Sequence, residues 1–254
     1  HLYRNDLVYV GRRYYRTDHH RIPAGSHRNL MEQELLQGVL TQKLKLRGNG
    51  MKYKVILWDF DGTLANTGAD VWDSLEYAAG KLGGSMDEKF KSCDSNLGKP
   101  MREIFRQVHP FPGEEKLATF DEWVTIHYRT ISEYPKTELY PGIREILEEA
   151  RVCGVRNYII TLKPEEALLR ILKKKGWTDL FEGCFSPDSF GEVIRSKAQV
   201  IEDVMASGQM ERESVVYIGD TYSDVTAAHE NHIHCIGVTY GDGDTNKLLE
   251  TGPD

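Results

Sequence analysis

MKYKVILWDFDGTL, residues 51–64, contains the pattern that decides the fold. Val55 to Trp58 form a short apolar run, which is typical of a buried strand when turn residues bound it. Asp59 and Asp61 follow this run directly, and Gly62 then breaks the strand. Because the chain turns at Gly62, both carboxylates can reach one site. The stretch therefore predicts a buried strand that delivers two acidic side chains to one edge of a sheet.

Beyond residue 140, predicted helices alternate with apolar, β-branched strands. This order is typical of a mostly parallel sheet with helices on both faces, the doubly wound α/β class. The predicted strands and then the predicted helices are 157–161, 215–219, 234–239, 143–152, 164–175, 196–206 and 223–230. Ligands in such folds bind beyond the carboxyl ends of the strands, so we expect the site at that edge.

The residues between the first strand and this alternating region predict a small helical domain. Apolar residues recur there at three- and four-residue spacing, with joints that contain Gly or Pro. We therefore expect an α/β core formed by residues 51–66 and 139–254, with a helical insert at 67–138.

The first fifty residues differ from the remainder in charge. They hold nine Lys or Arg and four Asp or Glu, which gives +5 and leaves −12 for the rest of the chain. Residues 7–16 have a strand-like composition, and residues 29–46 have helical spacing behind a possible Asn29 cap. The mixture of basic and aromatic residues in RRYY and DHHR is also found in nucleic-acid binders, but no recognised module is present. Residues 1–50 are thus an N-terminal extension of unknown role.

Composition favours a globular protein that acts on a small molecule. Of the 254 residues 40% are hydrophobic and 28% charged, and the net charge of −7 disfavours nucleic acid and anionic membranes as partners. No apolar run approaches the roughly 18 residues of a membrane span, and the N-terminus lacks a signal-peptide core. Four scattered cysteines indicate neither a zinc site nor a disulfide framework. We expect a cytoplasmic protein; its oligomeric state is not predicted.

Reactive side chains follow three of the predicted strands. Asp59 and Asp61 follow the first, Thr161 ends the second, and Asp220 follows the third, with Asp224 four residues later. An isolated Asp at a strand end is often only a turn or helix cap. Several carboxylates in one cleft, however, raise one another's pKa, and a hard divalent cation such as Mg²⁺ removes that conflict. Carboxylates, a hydroxyl, a metal and a nearby lysine are typical of phosphoryl transfer.

These motifs resemble those of a known superfamily. WDFDGTL (58–64), Thr161, Lys197 and GDTYSD (219–224) are similar, in order and spacing, to the four motifs of the haloacid-dehalogenase superfamily. The helical insert looks like its helical cap of the first type (C1). LYPGIREILEEARVCGV, TLKPE and GVTYGDG further resemble the branch that contains phosphoglycolate phosphatases, pyrophosphatases and β-phosphoglucomutases. The resemblance implies a Rossmann-like core and a Mg²⁺-dependent phosphatase for a small phosphorylated metabolite.

The resemblance also implies the catalytic roles. Asp59 is expected to be the nucleophile that forms an aspartyl-phosphate, and Asp61 the general acid and then the general base. Thr161 and Lys197 are expected to hold the transferring phosphoryl oxygens. Further phosphate-binding residues are expected in the first and second motifs: Gly62, Thr63, Leu162 and Lys163.

The same resemblance implies a magnesium site. Its expected ligands are the side chains of Asp59 and Asp220, the main-chain carbonyl of Asp61, and Asp224 either directly or through water. Many relatives place the third-motif lysine in Lys-Pro-x-Pro, which is absent here, so Lys197 is preferred over two alternatives, Lys163 and Arg195.

Several alternatives stay open. A mutase or a pyrophosphatase uses the same residues, and a binding protein on the same fold need not retain them; a dehalogenase is disfavoured because those relatives usually lack Asp61. Specificity is expected from the insert, around residues 96–99 and Arg102. HENHIH (229–234) contains metal-binding residue types, but we expect it to end a helix, with Asn231 as a left-handed cap. Relatives usually continue past LLETGPD, so the resemblance implies a chain that stops early.

Overall fold

The computed structural model describes residues 7–10, 13–16, 38, 40–44, 51–191 and 193–254. The first part contains an antiparallel hairpin, β1 (Leu7–Val10) and β2 (Arg13–Arg16), and a short helix, α1, at residues 40–44. The remainder of the predicted helix at 29–46 lies outside the described residues.

Five parallel strands form the central sheet. They are β3 (Val55–Trp58), β8 (Arg156–Ile160), β9 (Gly183–Phe185), β10 (Val215–Gly219) and β11 (His234–Gly237). Their order in the sheet is β11-β10-β3-β8-β9, so β3 is central and the chain winds first to one side of it and then to the other. The predicted doubly wound class is confirmed. The reversal of winding at β3 and β10 opens a crevice beyond their carboxyl ends.

Helices cover both faces of the sheet. They are α6 (Ile143–Val152), α7 (Glu165–Lys175), α8 (Lys197–Ser207), α9 (Tyr222–Glu230) and α10 (Thr245–Glu250). Alternate residues of β3 point to opposite layers. Ile56 and Trp58 join the cluster that contains α6 and α7, whereas Val55 and Leu57 join the cluster that contains α8, α9 and α10. β3 is buried on both sides, as its continuous apolar sequence predicts.

Helix α1 packs against the first of these clusters. Leu40 and Leu44 are 4% and 1% exposed and belong to the same apolar cluster as Tyr53 and the residues of α6 and α7. The Lys52 amide donates to the Leu44 carbonyl at 2.8 Å, so the end of α1 lies close to the segment that precedes β3. The end of the extension therefore contributes to the core that supports β3.

The insert between β3 and β8 has an apolar core of its own. Its helices and strands are β4 (Ala65–Asn66), α2 (Gly68–Lys81), β5 (Ser85–Met86), α3 (Glu88–Lys91), α4 (Met101–Phe105), β6 (Val108–His109), α5 (Leu117–Ile126) and β7 (Glu138–Leu139). Trp72, Phe105 and Phe120 belong to a separate cluster formed within this segment. The entering strand β4 pairs with the leaving strand β7, so both connections to the sheet lie side by side. Within the described residues, no helix has the length and apolar character needed to cross a membrane.

Candidate active site

The turn after β3 places the first two acidic residues. The Asp59 amide donates to the Ile218 carbonyl of β10 at 2.9 Å, which extends the sheet pairing by one residue. Gly62 then adopts φ 75°, in the left-handed region that glycine tolerates. A Cβ atom at Gly62 would lie 2.3 Å from Asp220 Oδ2, so the close approach of these two segments requires glycine there.

Three carboxylates converge at the end of the sheet. Oxygen atoms of Asp59, Asp220 and Asp224 all lie within 4.8 Å of one another, and the three residues are buried. Asp59 and Asp220 follow neighbouring strands, and Asp224 lies in the first turn of α9. This arrangement brings together the three side chains that the sequence predicts as metal ligands.

Lys197 lies beside this cluster. Its Nζ is 3.0 Å from Asp59 Oδ1 and 2.5 Å from Asp224 Oδ1, and the residue is 8% exposed. The first turn of α8 is fixed by a capping box, in which Ser196 accepts from the Gln199 amide and the Gln199 side chain accepts from the Ser196 amide. Burial disfavours the ammonium charge, but Asp59 and Asp224 together raise the pKa of Lys197, so it remains charged.

Asp59 and Asp220 resist ionisation, chiefly because they are buried. Burial, followed by the charges of Asp224, Asp220 and Asp61, raises the pKa of Asp59 to about 8, although Lys197 opposes the shift. Burial also raises the pKa of Asp220 to about 6, against the stabilising hydrogen bond from the Gly243 amide. A single ammonium does not compensate three buried carboxylates, whereas oxygen ligands of this kind suit a hard divalent cation.

Asp224 has partners on both of its oxygens. Oδ1 accepts from Lys197, and Oδ2 accepts from the Thr221 amide at 2.9 Å and from the Thr221 hydroxyl at 2.6 Å. Gly219 is required nearby, because a Cβ atom there would lie 2.3 Å from Asp224 Cγ. Asp224 is thus held rigidly behind Asp59, which is compatible with contact to a cation either directly or through water.

Asp61 differs from the other acids in its exposure. Its side chain is 38% exposed, and its Oδ1 accepts from the Thr67 hydroxyl at 2.5 Å and lies 3.0 Å from Lys163 Nζ. The same ammonium donates to Tyr128 Oη at 2.8 Å. Thr67 and Tyr128 are not predicted from the sequence, since one lies at a helix start and the other in an amphipathic helical pattern, where no motif distinguishes them.

The second motif lines the opposite side of the site. Thr161 is 2% exposed, and its hydroxyl accepts from the Lys163 amide at 3.2 Å. Leu162 is 55% exposed and lines the same cavity as Asp59 and Lys197. Thr63 is fully buried and donates to Asp220 Oδ1 at 3.3 Å, so its side chain lies behind the carboxylates and supports them.

A cavity of about 810 Å³ lies above these residues, within the size range of small-molecule sites. It is lined from the core by Asp59, Asp61, Thr161, Lys163, Lys197 and Asp220, and from the insert by Leu97, Gly98 and Lys99. Residues 97–99 of the insert loop thus line the cavity. Arg102 instead pairs with Glu114 at 3.6 Å on the surface of the insert. The loop and helix at 242–247, which sequence reasoning did not assign, also line the cavity.

Arg195, one of the two alternatives to Lys197, pairs with a residue outside the site. The Arg195 guanidinium pairs with Asp203 at 3.1 Å, so within the described residues Lys197 is the third-motif cation that reaches Asp59.

The prediction that Asn231 is a left-handed cap is wrong. Asn231 has φ −91° and His232 has φ 56°, because the Asn231 amide group is buried and donates to the Ala198 and Ala227 carbonyls.

Comparisons with known proteins identify the family of the chain. The family model of haloacid dehalogenase-like hydrolases matches residues 56–238. A 5'-nucleotidase of Pseudomonas aeruginosa is 27% identical over 213 residues, which are 82% of this chain and 92% of that protein. A phosphoglycolate phosphatase of Agrobacterium fabrum is 27% identical over 202 residues, 78% and 85% of the two chains. A solved haloacid dehalogenase-like hydrolase of Streptococcus pneumoniae has a TM-score of 0.65 and 26% identity, covering 80% and 92%.

The parallel sheet and its buried carboxylates define a phosphohydrolase of the α/β class. The chain belongs to the haloacid dehalogenase-like hydrolase family, whose model matches more than half of it. The predicted resemblance to the branch with phosphoglycolate phosphatases is confirmed.

Proposed function

We propose that this protein hydrolyses a small phosphate monoester with Mg²⁺, through an aspartyl-phosphate on Asp59. The observation that carries the proposal is the group of three buried carboxylates at the end of the central strands, with the Lys197 ammonium on Asp59. Lys197 and the cavity above it provide room and positive charge for a phosphoryl group. The names of two relatives, a 5'-nucleotidase and a phosphoglycolate phosphatase, support the same substrate class.

In the first step, an Asp59 carboxylate oxygen attacks phosphorus and the bond from phosphorus to the ester oxygen breaks. Asp61, in its protonated form, gives its proton to the departing alkoxide, so that an alcohol leaves. Thr161 and Lys197 hold the phosphoryl oxygens. The products are the free alcohol, the aspartyl-phosphate and an ionised Asp61.

In the second step, Asp61 takes a proton from water as the water oxygen attacks the same phosphorus. The bond from phosphorus to Asp59 breaks, inorganic phosphate leaves, and the carboxylate of Asp59 is restored. Asp61 is then protonated again for the next turnover. Splitting the hydrolysis into two displacements allows one site to serve both.

The residues present fit a magnesium ion. Asp59 and Asp220 supply carboxylate oxygens within 4.8 Å of each other and of Asp224, and Mg²⁺ typically uses one or two protein carboxylates together with phosphate oxygens. When bound, the ion supplies positive charge that allows a phosphate dianion to approach a carboxylate. The proposed ligand set also includes the main-chain carbonyl of Asp61, and Asp224 either directly or through water.

Other functions of the same residues are the alternatives. A mutase would return the phosphoryl group to a sugar, a pyrophosphatase would cleave a phosphoanhydride, and a binding protein would lack turnover. A cytoplasmic location belongs to the proposal as well, since the spacing of the four cysteines in the sequence does not indicate a disulfide framework.

A panel of phosphate esters with Mg²⁺ tests the proposal. We expect release of inorganic phosphate from at least one monoester, and rapid quenching should trap phosphate on Asp59. Pyrophosphate and a sugar bisphosphate serve as tests of the alternatives. Absence of phosphate release from every ester would contradict the proposal, and exclusive cleavage of pyrophosphate would favour that alternative.

A further inference from the structure

Lys163 is a buried ammonium whose contacts lead to the proposed acid and base. It is 9% exposed, and its Nζ lies 3.0 Å from Asp61 Oδ1 and 2.8 Å from Tyr128 Oη. The Phe60 ring centroid lies 5.9 Å from the same nitrogen. An ammonium has three donors, and two of them are already used by Asp61 and Tyr128.

Tyr128 is itself fixed in place. It lies in the helical segment His127–Ile131 that follows α5, and its main-chain carbonyl accepts from the Tyr134 hydroxyl at 2.6 Å. Arg170, on core helix α7, donates to the Thr130 carbonyl at 3.3 Å. These bonds tie the segment that carries Tyr128 to the core, so the phenol is a stable partner for Lys163.

The contacts of Asp61 are one-sided. Within the described residues, both of its side-chain partners, Thr67 and Lys163, bind Oδ1. The second oxygen, Oδ2, therefore remains available to a substrate in the cavity that Asp61 lines. A carboxylate that transfers a proton needs a fixed direction, because small displacements of a catalytic group cost up to about 100-fold in rate.

We propose that Lys163, supported by Tyr128, is a positioning residue that holds Oδ1 of Asp61 and so directs Oδ2 toward the leaving group and the attacking water. This inference rests on the proposed phosphatase function. It assigns Lys163 a different task from direct phosphate binding, which the sequence motif suggests. The ammonium that contacts the nucleophile is Lys197, so the two lysines serve different carboxylates.

A kinetic double-mutant cycle tests this role. Lys163→Met should slow hydrolysis of an alkyl phosphate by about 10- to 100-fold, since its poor leaving group needs the proton of Asp61. Release of p-nitrophenolate from p-nitrophenyl phosphate in the first turnover should change little. In an Asp61→Asn background, Lys163→Met should slow the alkyl ester by less than about twofold more, because the positioned group is already gone. Tyr128→Phe should give a smaller loss of the same kind.

The opposite result assigns Lys163 to the phosphoryl group. A raised KM for both esters, with full additivity in the Asp61→Asn background, would overturn the proposal. Lys136→Met, which removes a lysine paired with Asp73 on the surface, is the matched control and should leave both rates unchanged.

A second double-mutant cycle measures stability and does not depend on enzymatic activity. In urea unfolding, Lys163→Met and Asp61→Asn should each lower the midpoint, and the double variant should lower it by less than their sum. Additive effects on the midpoint would refute the contact itself. If the midpoints couple but the wild-type protein hydrolyses no phosphate ester, the proposed function fails while the contact stands.

Discussion

The Lys197 ammonium lies 3.0 Å from the Asp59 carboxylate, and the two residues are 138 positions apart in the chain. The contact forms where the central strand and the first turn of α8 meet. It joins the proposed nucleophile to a buried ammonium. The charge of the site therefore depends on the protonation of both Asp59 and Lys197.

Removal of Lys197 should affect stability in a cation-dependent way. Lys197→Met leaves Asp224, and at a pH above about 8 also Asp59, buried without their ammonium, and loss of one partner of a buried pair costs about 3–5 kcal/mol. We expect this loss in metal-free buffer and a smaller loss with saturating Mg²⁺, because the ion compensates the same carboxylates. Urea unfolding with and without Mg²⁺ measures both values. Lys174→Met, at an exposed pair with Glu133, is the control, and equal losses of Lys197→Met in the two buffers would argue against a shared charge site.

The proposed nucleophile can be tested by a substitution of nearly equal size. Asp59→Asn should remove turnover while the protein remains folded, because the amide is a poor nucleophile. Phosphate release measures the activity, and circular dichroism measures the fold. Rates close to those of the wild-type protein would place the nucleophile elsewhere.

Cation binding should depend on pH with a defined sign. Burial with neighbouring carboxylates raises the pKa of Asp59 to about 8, so without a cation this group is protonated at pH 6.5. A cation needs the ionised form, so Mg²⁺ binding at pH 6.5 should release a proton, and the Kd should fall as pH rises toward 8. Titration calorimetry in two buffers with different ionisation enthalpies counts the protons. Equal Mg²⁺ affinity and no proton release across this pH range would contradict the prediction. Full phosphatase turnover in the presence of a chelator would show that the activity does not need the ion.

Asp61 has different tasks in the two half-reactions, and the leaving group separates them. With an alkyl phosphate, Asp61→Asn should slow the first step by roughly 100- to 10,000-fold, the usual size of lost general acid catalysis. With p-nitrophenyl phosphate the phenolate leaves without a proton, so the slow step becomes hydrolysis of the aspartyl-phosphate. Stopped-flow measurement should then show a nitrophenolate burst near one equivalent of enzyme. Equal slowing with both esters and no burst would mean that Asp61 positions the metal or the backbone and does not transfer protons.

The N-terminal extension should matter for stability more than for chemistry. All proposed catalytic groups follow Met51, so a chain that begins there should retain its kcat per folded molecule. Leu44 is 1% exposed in the core cluster, however, and Leu44→Ala should cost about 2–5 kcal/mol. Gln42→Ala, on the exposed side of the same helix, is the matched control. Lost kcat in a folded, shortened chain would show that the extension completes the site.

The sequence by itself determined the class of the fold and the main acidic residues. The apolar run at β3 and the alternation of strands and helices follow from local side-chain pattern, so the predicted Val55–Trp58, Val215–Gly219 and Ile143–Val152 match the observed elements. It missed β9 (Gly183–Phe185), because three half-buried residues at a sheet edge carry little periodicity.

Only the tertiary structure decided which polar groups touch. Lys163 follows a strand and Lys197 begins a helix, and both carry the same charge in the sequence, yet one contacts Asp61 and the other Asp59. That choice depends on where α8 begins and where the insert returns Tyr128 to the core, which are long-range packing results. The sequence also did not predict that Leu44 is buried in the core cluster. Helical spacing predicts an apolar face but not the surface that covers it.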